Sequence, residues 1–283
     1  MKKTFEVLAP VRDIDGIIPM AQAGADAVYA GLSGLSSRPS EVDFSLEDIL
    51  KSVPVCRSQG VKLYVAVNVN ISEQKRNETI RMIEKMDAAG VDAVILADYG
   101  LIYELKKKQT VKHAAIHAST LLGAYNIHTA RLLKDWGVSR IIFYANLYFD
   151  EMAAIINAVP EMEYELVAEG GTCFNDIRQC LLPHTFINGD HRLFCREKYD
   201  IERSDGARTA AKPICEYANK VADVLGIYMG LGITSFKVEG RTAPLEDRIP
   251  IVKEVRKAVD YYSEKESLRA YLHYFSRANR GVW

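Results

Sequence analysis

The sequence lacks any hydrophobic run of the length that a membrane helix needs. Such a helix takes about 20 consecutive apolar residues, whereas the richest stretch here, Ala93–Ala97, is interrupted by Asp98. The amino terminus also lacks the apolar core of a secretory signal, because its two lysines are followed by Glu6 and then by Pro10. These absences predict a cytoplasmic protein without a membrane span.

A surplus of either charge is missing as well. The 283 residues include 36 Lys or Arg and 37 Asp or Glu, which gives a net charge of −1 at pH 7. Proteins that bind nucleic acid by themselves usually present a basic surface to the phosphate backbone. The overall balance therefore argues against a nucleic-acid partner.

Cysteine is scarce, and its distribution is uneven. Cys56 stands alone, whereas Cys173, Cys180, Cys195 and Cys215 lie close together in the chain. Five cysteines in a reducing compartment do not indicate a disulfide framework. The spacing of the four matches neither a zinc ribbon nor a bacterial ferredoxin. They could converge on an iron–sulfur cluster or a tetrahedral zinc ion, or each could be an isolated buried residue.

What the chain does contain is a repeated pattern of a helical segment, a glycine turn and a short β-branched run. A glycine turn ends a helix in the left-handed conformation, and a run that is apolar on both faces indicates a buried parallel strand. Eight strands are predicted: Phe5–Leu8, Ala27–Ala30, Val61–Val67, Ala93–Ala97, Ala114–His117, Arg140–Phe143, Tyr164–Val167 and Ser235–Val238. Eight β/α units favour a closed (β/α)8 TIM-type barrel over an open doubly wound sheet.

One connection is far longer than a normal β/α unit needs. It is an insertion over residues 168–234, between strands seven and eight, and it contains all four clustered cysteines. Loops after barrel strands emerge at the carboxyl-terminal face, where barrel enzymes build their active sites. No linker or low-complexity tract interrupts the chain, so residues 1–283 are predicted to form one barrel domain with one elaborated loop.

Polar side chains just past the predicted strands are the candidate site residues, because they point towards the barrel mouth. They are Tyr29, Asn68, Asp98, His117, Ser119, Tyr144, Glu169, Lys237, Glu239 and Arg241. Alternation places Lys237 and Glu239 on one face, directed into the barrel if Val238 points outward. Such a pair can transfer protons, form a Schiff-base site or close the barrel as an ion pair, and spacing alone favours the ion pair. His117 is interpreted as a structural histidine and Cys56 as a core residue of a helix.

Several phrases make the chain resemble the collagenase-like peptidase U32 family from end to end. They are Glu6-Val-Leu-Ala-Pro10, Ala23-Gly-Ala-Asp-Ala-Val-Tyr29, Phe44-Ser-Leu46, Val65-Ala-Val-Asn68, Ala97-Asp98 with Gly100, Ser119-Thr120 and Lys237-Val-Glu-Gly-Arg241. The last phrase and the cysteine insertion before it are the most specific. The resemblance implies a (β/α)8-type barrel that carries a 4Fe-4S cluster, with Cys173, Cys180, Cys195 and Cys215 at the positions of the cluster ligands.

The family's better understood members resemble oxygen-independent hydroxylases with prephenate as the hydroxyl donor. They act on the ubiquinone ring precursor, a tRNA uridine or a ribosomal RNA cytidine. The RNA-modifying relatives carry additional C-terminal domains, whereas this chain is similar in length to the short quinone-pathway members, which work as two-protein complexes. The resemblance therefore implies a small aromatic or quinone-precursor substrate, a prephenate-like donor and a related U32-family partner subunit in a heterodimer.

This hypothesis places the catalytic groups at the barrel mouth: Lys237, Glu239, Arg241, Asn68, Asp98, Ser119 and Glu169. The first three would bind a carboxylate-bearing donor or manage its protons, and the next three would orient the acceptor.

The chain departs from the family pattern at three places. Glu169-Gly170 stands where many relatives have His-Gly, Leu121 where many have Gln, and Val11-Arg12 where Ala-Gly is usual. Glu169 and Leu121 motivate an alternative, a non-catalytic cluster-bearing partner subunit. Proteolysis is a second alternative, for which neither an H-E-x-x-H nor a G-x-S-x-G motif is present.

Overall fold

The computed structural model describes residues 5–37, 42–143, 147–171, 198–202, 204–206, 208–213, 218–220 and 224–265. Five of the candidate site residues lie outside the described residues, namely Tyr144, Cys173, Cys180, Cys195 and Cys215.

Eight parallel strands form a closed barrel. They are β1 Glu6–Pro10, β2 Ala27–Gly31, β3 Lys62–Val67, β4 Ala93–Leu96, β5 Ala115–Ala118, β6 Arg140–Ile142, β7 Glu163–Gly171 and, after the long insertion, β11 Ser235–Val238. Neighbours along the chain pair with one another, β7 pairs with β11, and β11 pairs with β1 to close the ring. The TIM-type fold predicted from the sequence is confirmed, with shifts of a few residues in the strand bounds.

Helices connect the strands on the outside of the barrel. They are α1 Ile17–Gln22, α2 Leu46–Gln59, α3 Glu73–Ala89, α4 Tyr99–Lys108, α5 Ile127–Asp135, α6 Phe149–Ala158, α7 Leu225–Leu231 and α8 Leu245–Glu264. Glycines with positive φ follow five of these helices, as the repeated pattern predicts: Gly24, Gly60, Gly90, Gly137 and Gly232. Among the described residues, no helix has the length and apolar character needed to cross a bilayer.

Two apolar layers result from the alternation of side chains along the strands. The larger layer lies between the barrel and its helices and includes Val7, Val28 and Phe236. The smaller one fills the barrel interior with Leu8, Tyr29, Tyr64, Ile95, Ile142 and several alanines. The polar groups described below occupy the two ends of the barrel.

The insertion spans fewer residues than the predicted range 168–234. Strand β7 continues to Gly171, and α7 is the regular barrel helix that precedes β11. Between them, β8 Lys198–Glu202 pairs in antiparallel fashion with β9 Arg208–Pro213. A short strand, β10 Ala218–Lys220, pairs with residues 169–171 of β7. The elaborated loop therefore begins directly at the carboxyl end of a barrel strand.

Candidate active site at the barrel mouth

A cavity of about 70 Å³ opens at the carboxyl-terminal end of the barrel, with room for a few water molecules. Six of the candidate residues line it: Tyr29, Asn68, Ser119, Lys237, Glu239 and Arg241. They follow four different strands, which is how a TIM barrel assembles a site from separate parts of the chain.

Lys237 is half-buried at the end of β11. Its ammonium nitrogen lies 4.1 Å from the centroid of the Tyr29 ring, which is cation–π geometry. Val238 is fully buried in the layer outside the barrel, so alternation directs Lys237 and Glu239 into the mouth, as predicted. The register against β7 shifts between Lys237 and Val238, and such irregularities often re-aim side chains beside active sites.

Arg241 joins two loops across the mouth. Its guanidinium donates to Asp43 Oδ1 at 2.8 Å and to Ser36 Oγ at 2.6 Å, both in the segment between β2 and α2. Gly31 makes this possible, because a Cβ at that position would lie 1.6 Å from an Arg241 nitrogen. Arg241 is therefore a positioning residue for this loop as well as part of the cavity wall.

Glu239 lines the cavity and is held through its backbone. Its N–H donates to the carbonyl of Glu169 at 2.8 Å. A Cβ at Gly170 would lie 2.6 Å from the Glu239 Cβ, so only glycine fits beside this side chain. The Glu169-Gly170 phrase thus supports Glu239, while the Glu169 side chain is not among the groups that line the cavity.

Asn68 and Ser119 contribute neutral hydrogen-bonding groups to the mouth. The Asn68 Oδ1 accepts from the Ser37 N–H at 3.0 Å, which leaves its amide NH2 as the donor for a ligand. Ser119 is buried, and its Oγ accepts from the Leu121 N–H at 3.3 Å. Leu121 lines the same cavity. Both polar side chains have one group fixed by the backbone.

Asp98 does not reach the cavity. It caps α4, where its Oδ1 accepts from the Leu101 N–H at 2.8 Å, and its Oδ2 accepts from the Ile71 N–H at 3.0 Å. Both oxygens are thus used by backbone donors. The structure gives Asp98 the role of holding a helix and a loop, in place of the predicted contact with an acceptor.

His117 lies in β5, below the mouth, and is buried. Its ring packs edge-on against Tyr64 at 4.9 Å, and its Nδ1 has no hydrogen-bond partner among the described residues. Burial holds the pKa of His117 well below its ordinary value of 6.5, and the charges of Arg140, Lys62 and Lys237 act in the same direction. The imidazole is therefore neutral, which fits the structural interpretation.

A buried ionic network closes the amino-terminal end of the barrel. The Arg140 guanidinium donates to Glu6 at 2.6 Å, to Glu163 at 2.8 Å and to Glu165 at 3.1 Å. Ser235 Oγ donates to Glu6 at 2.8 Å, and the Tyr64 hydroxyl donates to the same carboxylate at 2.6 Å. Five barrel strands contribute to this network, so it fixes their relative positions. We call it the barrel plug, with Glu6, Arg140, Glu165, Ser235 and Tyr64 as its members.

The two buried carboxylates of the barrel plug titrate in opposite directions. Burial alone would raise the pKa of Glu6, but the Arg140 charge and three hydrogen bonds outweigh it and lower that pKa. Burial raises the pKa of Glu165, although Lys237 and Arg140 oppose the shift. Glu165 is completely buried, and its Oε1 has no hydrogen-bond partner among the described residues. Glu6 is thus the ionised partner of Arg140, and Glu165 binds a proton more readily.

Neither the barrel plug nor the two hydrogen-bond acceptors of Arg241, Asp43 and Ser36, was predicted from the sequence. The signal was present for the plug, because Glu6, Arg140 and Glu165 are charged residues inside runs that are otherwise apolar. Asp43 and Ser36 carry no comparable signal, since they lie in a loop whose path depends on the whole fold.

Of the five cysteines, Cys56 lies among the described residues and the other four do not. Cys56 is buried in α2, and burial raises the pKa of its thiol to about 12, so the predicted core position is confirmed. Strand β7 ends at Gly171, and Cys173 follows two residues later. Among the described residues, no group of three or more His, Cys, Asp or Glu side chains could hold a metal ion. The four cysteines of the insertion lie outside the described residues, so the cluster expected from the sequence stays a prediction.

Comparison with known proteins identifies relatives over nearly the whole chain. The family model described as Peptidase family U32 matches residues 12–280. The 23S rRNA 5-hydroxycytidine synthase of Escherichia coli (strain K12) is 27% identical, covering 92% of this chain and 40% of that protein. The tRNA hydroxylation protein P2 of Bacillus subtilis (strain 168) is 28% identical, covering 92% of this chain and 87% of that protein. This chain thus spans less than half of the first relative and most of the second.

A solved structure has the same fold. The U32 peptidase Mk0906 matches with a TM-score of 0.56 at 12% identity, covering 86% of this chain and 96% of that one. At this level of identity the likeness concerns the fold alone.

The relatives correct one expectation. Their names refer to hydroxylation of ribosomal RNA and tRNA, so the argument against a nucleic-acid partner is wrong for this family. The argument from length is overturned too, because a tRNA hydroxylation protein is 87% covered by this chain. Net charge failed as a criterion since phosphate contacts depend on local groups of cations, which a whole-chain sum conceals.

Proposed function

Because the chain belongs to peptidase family U32, we propose that it is a hydroxylase that acts on a nucleobase of RNA. The observation that carries the proposal is the convergence of Lys237, Glu239 and Asn68 on one cavity in a chain similar to RNA hydroxylation proteins. An RNA substrate is consistent with the cytoplasmic location expected from the sequence.

The hydroxyl donor in this proposal is a prephenate-like compound with carboxylate groups. Lys237 is the cation that would bind a donor carboxylate, because its ammonium stands beside the cavity on the Tyr29 ring. Arg241 would keep the loop over the site in place through Asp43 and Ser36. The carboxylate of Glu239 would exchange protons with the donor.

The acceptor base would be oriented by neutral groups. The Asn68 amide and the Ser119 hydroxyl can hydrogen-bond the edge of a base that is turned out of its stack, as enzymes that modify bases require. The cavity of about 70 Å³ admits only the reacting edge, so the rest of the nucleotide would lie outside the mouth. Asp98 and Glu169 have no direct contact with substrate in this proposal.

Cys173, Cys180, Cys195 and Cys215 would hold a 4Fe-4S cluster. The step balances if the donor is the oxidant: the base C–H becomes C–OH while the donor C–OH becomes C–H, so two electrons and a proton pass from the base to the donor. The cluster would relay these electrons, because electron transfer is the chemistry that such a cluster supplies. Iron and acid-labile sulfide are measured in protein purified without oxygen and in each Cys→Ala variant. Loss of iron is expected in the four variants, whereas the control Cys56→Ala retains it. Full iron in all four variants would contradict this ligand set.

The activity itself is tested on RNA from cells in which the gene is deleted. The RNA is incubated anaerobically with the protein and prephenate, digested to nucleosides and analysed by mass spectrometry. We expect one nucleoside to gain the mass of one oxygen atom, and to do so only when the donor is present. Cluster-loaded protein that changes no nucleoside would contradict the proposal.

The same assay separates the alternatives that the sequence left open. A partner-subunit role predicts that this chain becomes active only after a second U32-family protein is added. A small aromatic acceptor predicts hydroxylation of 4-hydroxybenzoate under conditions in which RNA stays unchanged. Cleavage of a collagen peptide by the cluster-free protein would indicate proteolysis instead.

A further inference from the structure

A second concave site lies at the end of the barrel opposite the mouth. It is an open groove of about 470 Å³ between the carboxyl ends of α4 and α5. Ala114 and Ser139, which precede β5 and β6, line it and place it at the amino-terminal face. Its volume is in the range of about 300–1,000 Å³ that small-molecule sites have. The groove is therefore large enough to accept a nucleobase.

The rim of this groove is basic. Residues 105–113 contain four lysines and no acidic residue. Lys106, Lys107 and Lys112 are exposed, and none of them has an ion-pair partner among the described residues. Lys108 differs, because it pairs with Glu104. The net charge of the whole chain conceals this local surplus of positive charge.

The basic rim is held in a fixed backbone conformation. The Asp87 carboxylate accepts from the N–H groups of Lys112 at 3.0 Å, His113 at 2.8 Å and Ala114 at 2.6 Å. Although burial alone would raise the pKa of Asp87, these backbone hydrogen bonds outweigh it and lower that pKa. Asp87 thus stays ionised, and the lysine-bearing loop needs little ordering before it binds a ligand.

Two aromatic side chains, Trp136 and Tyr103, lie near the lysines. Trp136 lines the groove, and its ring packs against the Tyr103 ring at 5.4 Å. Tyr103 is 49% exposed. The Lys106 ammonium lies 3.5 Å from the position that a Cβ on Gly137, the residue after Trp136, would take. Cations next to accessible rings are the combination that binds single-stranded nucleic acid.

We propose that this groove is an RNA-binding site distinct from the barrel mouth. Lys106 and Lys112 would contact phosphates, and a base would stack on the Trp136 ring. The choice of RNA among polyanions rests on the proposed function. The site would hold a part of the RNA remote from the base that enters the mouth, and so help to position a large substrate.

Binding is tested with a labelled single-stranded RNA of about ten nucleotides, a length within the range of known sites. We expect Lys106→Ala/Lys112→Ala to weaken affinity about tenfold near 0.1 M salt and to reduce the salt slope by about 1.4. The matched control is Lys253→Ala/Lys257→Ala, which removes the same charge from exposed positions on α8, across the barrel. An equal effect of the two double variants, or no effect of the first, would overturn the proposal.

Tryptophan fluorescence supplies a second readout. The chain has two tryptophans, so Trp283→Phe leaves Trp136 as the only one. Its emission should be quenched as RNA saturates the site, and the quenching should require Lys106 and Lys112. A poly-glutamate peptide that quenches Trp136 while RNA does not would indicate an acidic protein partner and reject the RNA proposal.

The experiments can reject either proposal while supporting the other. RNA binding through the groove by a protein that hydroxylates no nucleoside would overturn the proposed function and support this inference. If the protein hydroxylates a nucleoside but its groove variant binds RNA as tightly as the unsubstituted chain, the proposed function is supported and this inference is overturned.

Discussion

At the amino-terminal end of the barrel, Arg140 is surrounded by the carboxylates of Glu6, Glu163 and Glu165. At the mouth, Lys237 lies on a tyrosine ring beside a cavity. The guanidinium is almost fully buried and donates to three carboxylates, whereas the ammonium is half-buried and lines a cavity. A charged side chain of the same barrel can thus be enclosed by opposite charges at one end and border a cavity at the other.

Replacing Arg140 should give the largest effect on stability. Arg140→Met leaves three carboxylates without their cation, and breaking a buried ion pair in this way costs about 3–5 kcal/mol in the free energy of unfolding. Urea denaturation measures the change. The control is Arg76→Met, which removes an arginine from pairs with Glu73 and Glu104 and should cost far less, because ion pairs at the surface contribute little to stability. Equal costs for the two variants would show that the barrel plug has no special role.

Replacing Lys237 should affect activity far more than stability. Lys237→Met keeps the length of the side chain but removes the cation that we place on the donor, so turnover should fall about 100-fold or more. The readout is hydroxylated nucleoside per unit time, with unfolding measured in parallel. Lys62→Met is the control, because Lys62 pairs with Glu6 at the other end of the barrel at 3.7 Å. A similar loss of turnover in both variants would refute the division between the two ends.

Substitution of Gly31 tests the contact of Arg241 with the loop between β2 and α2 at the barrel mouth. Gly31→Ala places a methyl group against the Arg241 guanidinium, and overpacking of this kind costs about 1–3 kcal/mol. In an Arg241→Ala background the same methyl group should cost less, because two of the three nearest atoms belong to Arg241 and only Asp43 Oδ1 remains. The double-mutant cycle, measured by denaturation, isolates the coupling between the two positions. Additive effects would mean that Gly31 is needed for some other reason.

His117, between the two ends, should produce the smallest effect, and that effect depends on pH. Its lowered pKa means that below pH 6.5 the unfolded chain binds a proton that the folded chain does not. Stability is therefore lost as the pH falls, by up to about 1.4 kcal/mol per pH unit. Unfolding measured between pH 5 and 7 should show a shallower slope for His117→Gln, whereas the exposed control His128→Gln should keep the original slope. An unchanged slope for His117→Gln would mean that the buried ring is protonated in the folded state.

Much of the mouth was predictable because barrel sites follow a positional rule. Asn68, Ser119 and Glu239 come one or two residues after predicted strands, Lys237 lies near the end of the last one, and all four line the cavity. The rule fails at Asp98, which also follows a strand but caps α4 instead. Position along the chain identifies which residues are near the mouth, but it does not identify the partner that each side chain finds there.

The basic groove also could not be predicted from position along the chain alone. The run of lysines after α4 is visible in the sequence, but its meaning depends on Trp136, which a separate helix brings beside it. The charge balance of the whole chain gave the wrong expectation about nucleic acid for this reason. Surface charge acts over about 8 Å at physiological salt, so its local arrangement decides what it attracts.

By itself, the sequence determined the barrel, its eight strands, the glycine turns and the place of the long insertion. These features depend on local preferences, namely apolar runs that fit a buried strand and glycines that accept a left-handed turn. Only the tertiary structure decided which charges meet. Arg140 and Glu6 are 134 residues apart in the chain, and Arg241 and Asp43 are 198 apart. No local signal encodes such contacts, because closing the barrel is what brings these residues within hydrogen-bonding distance.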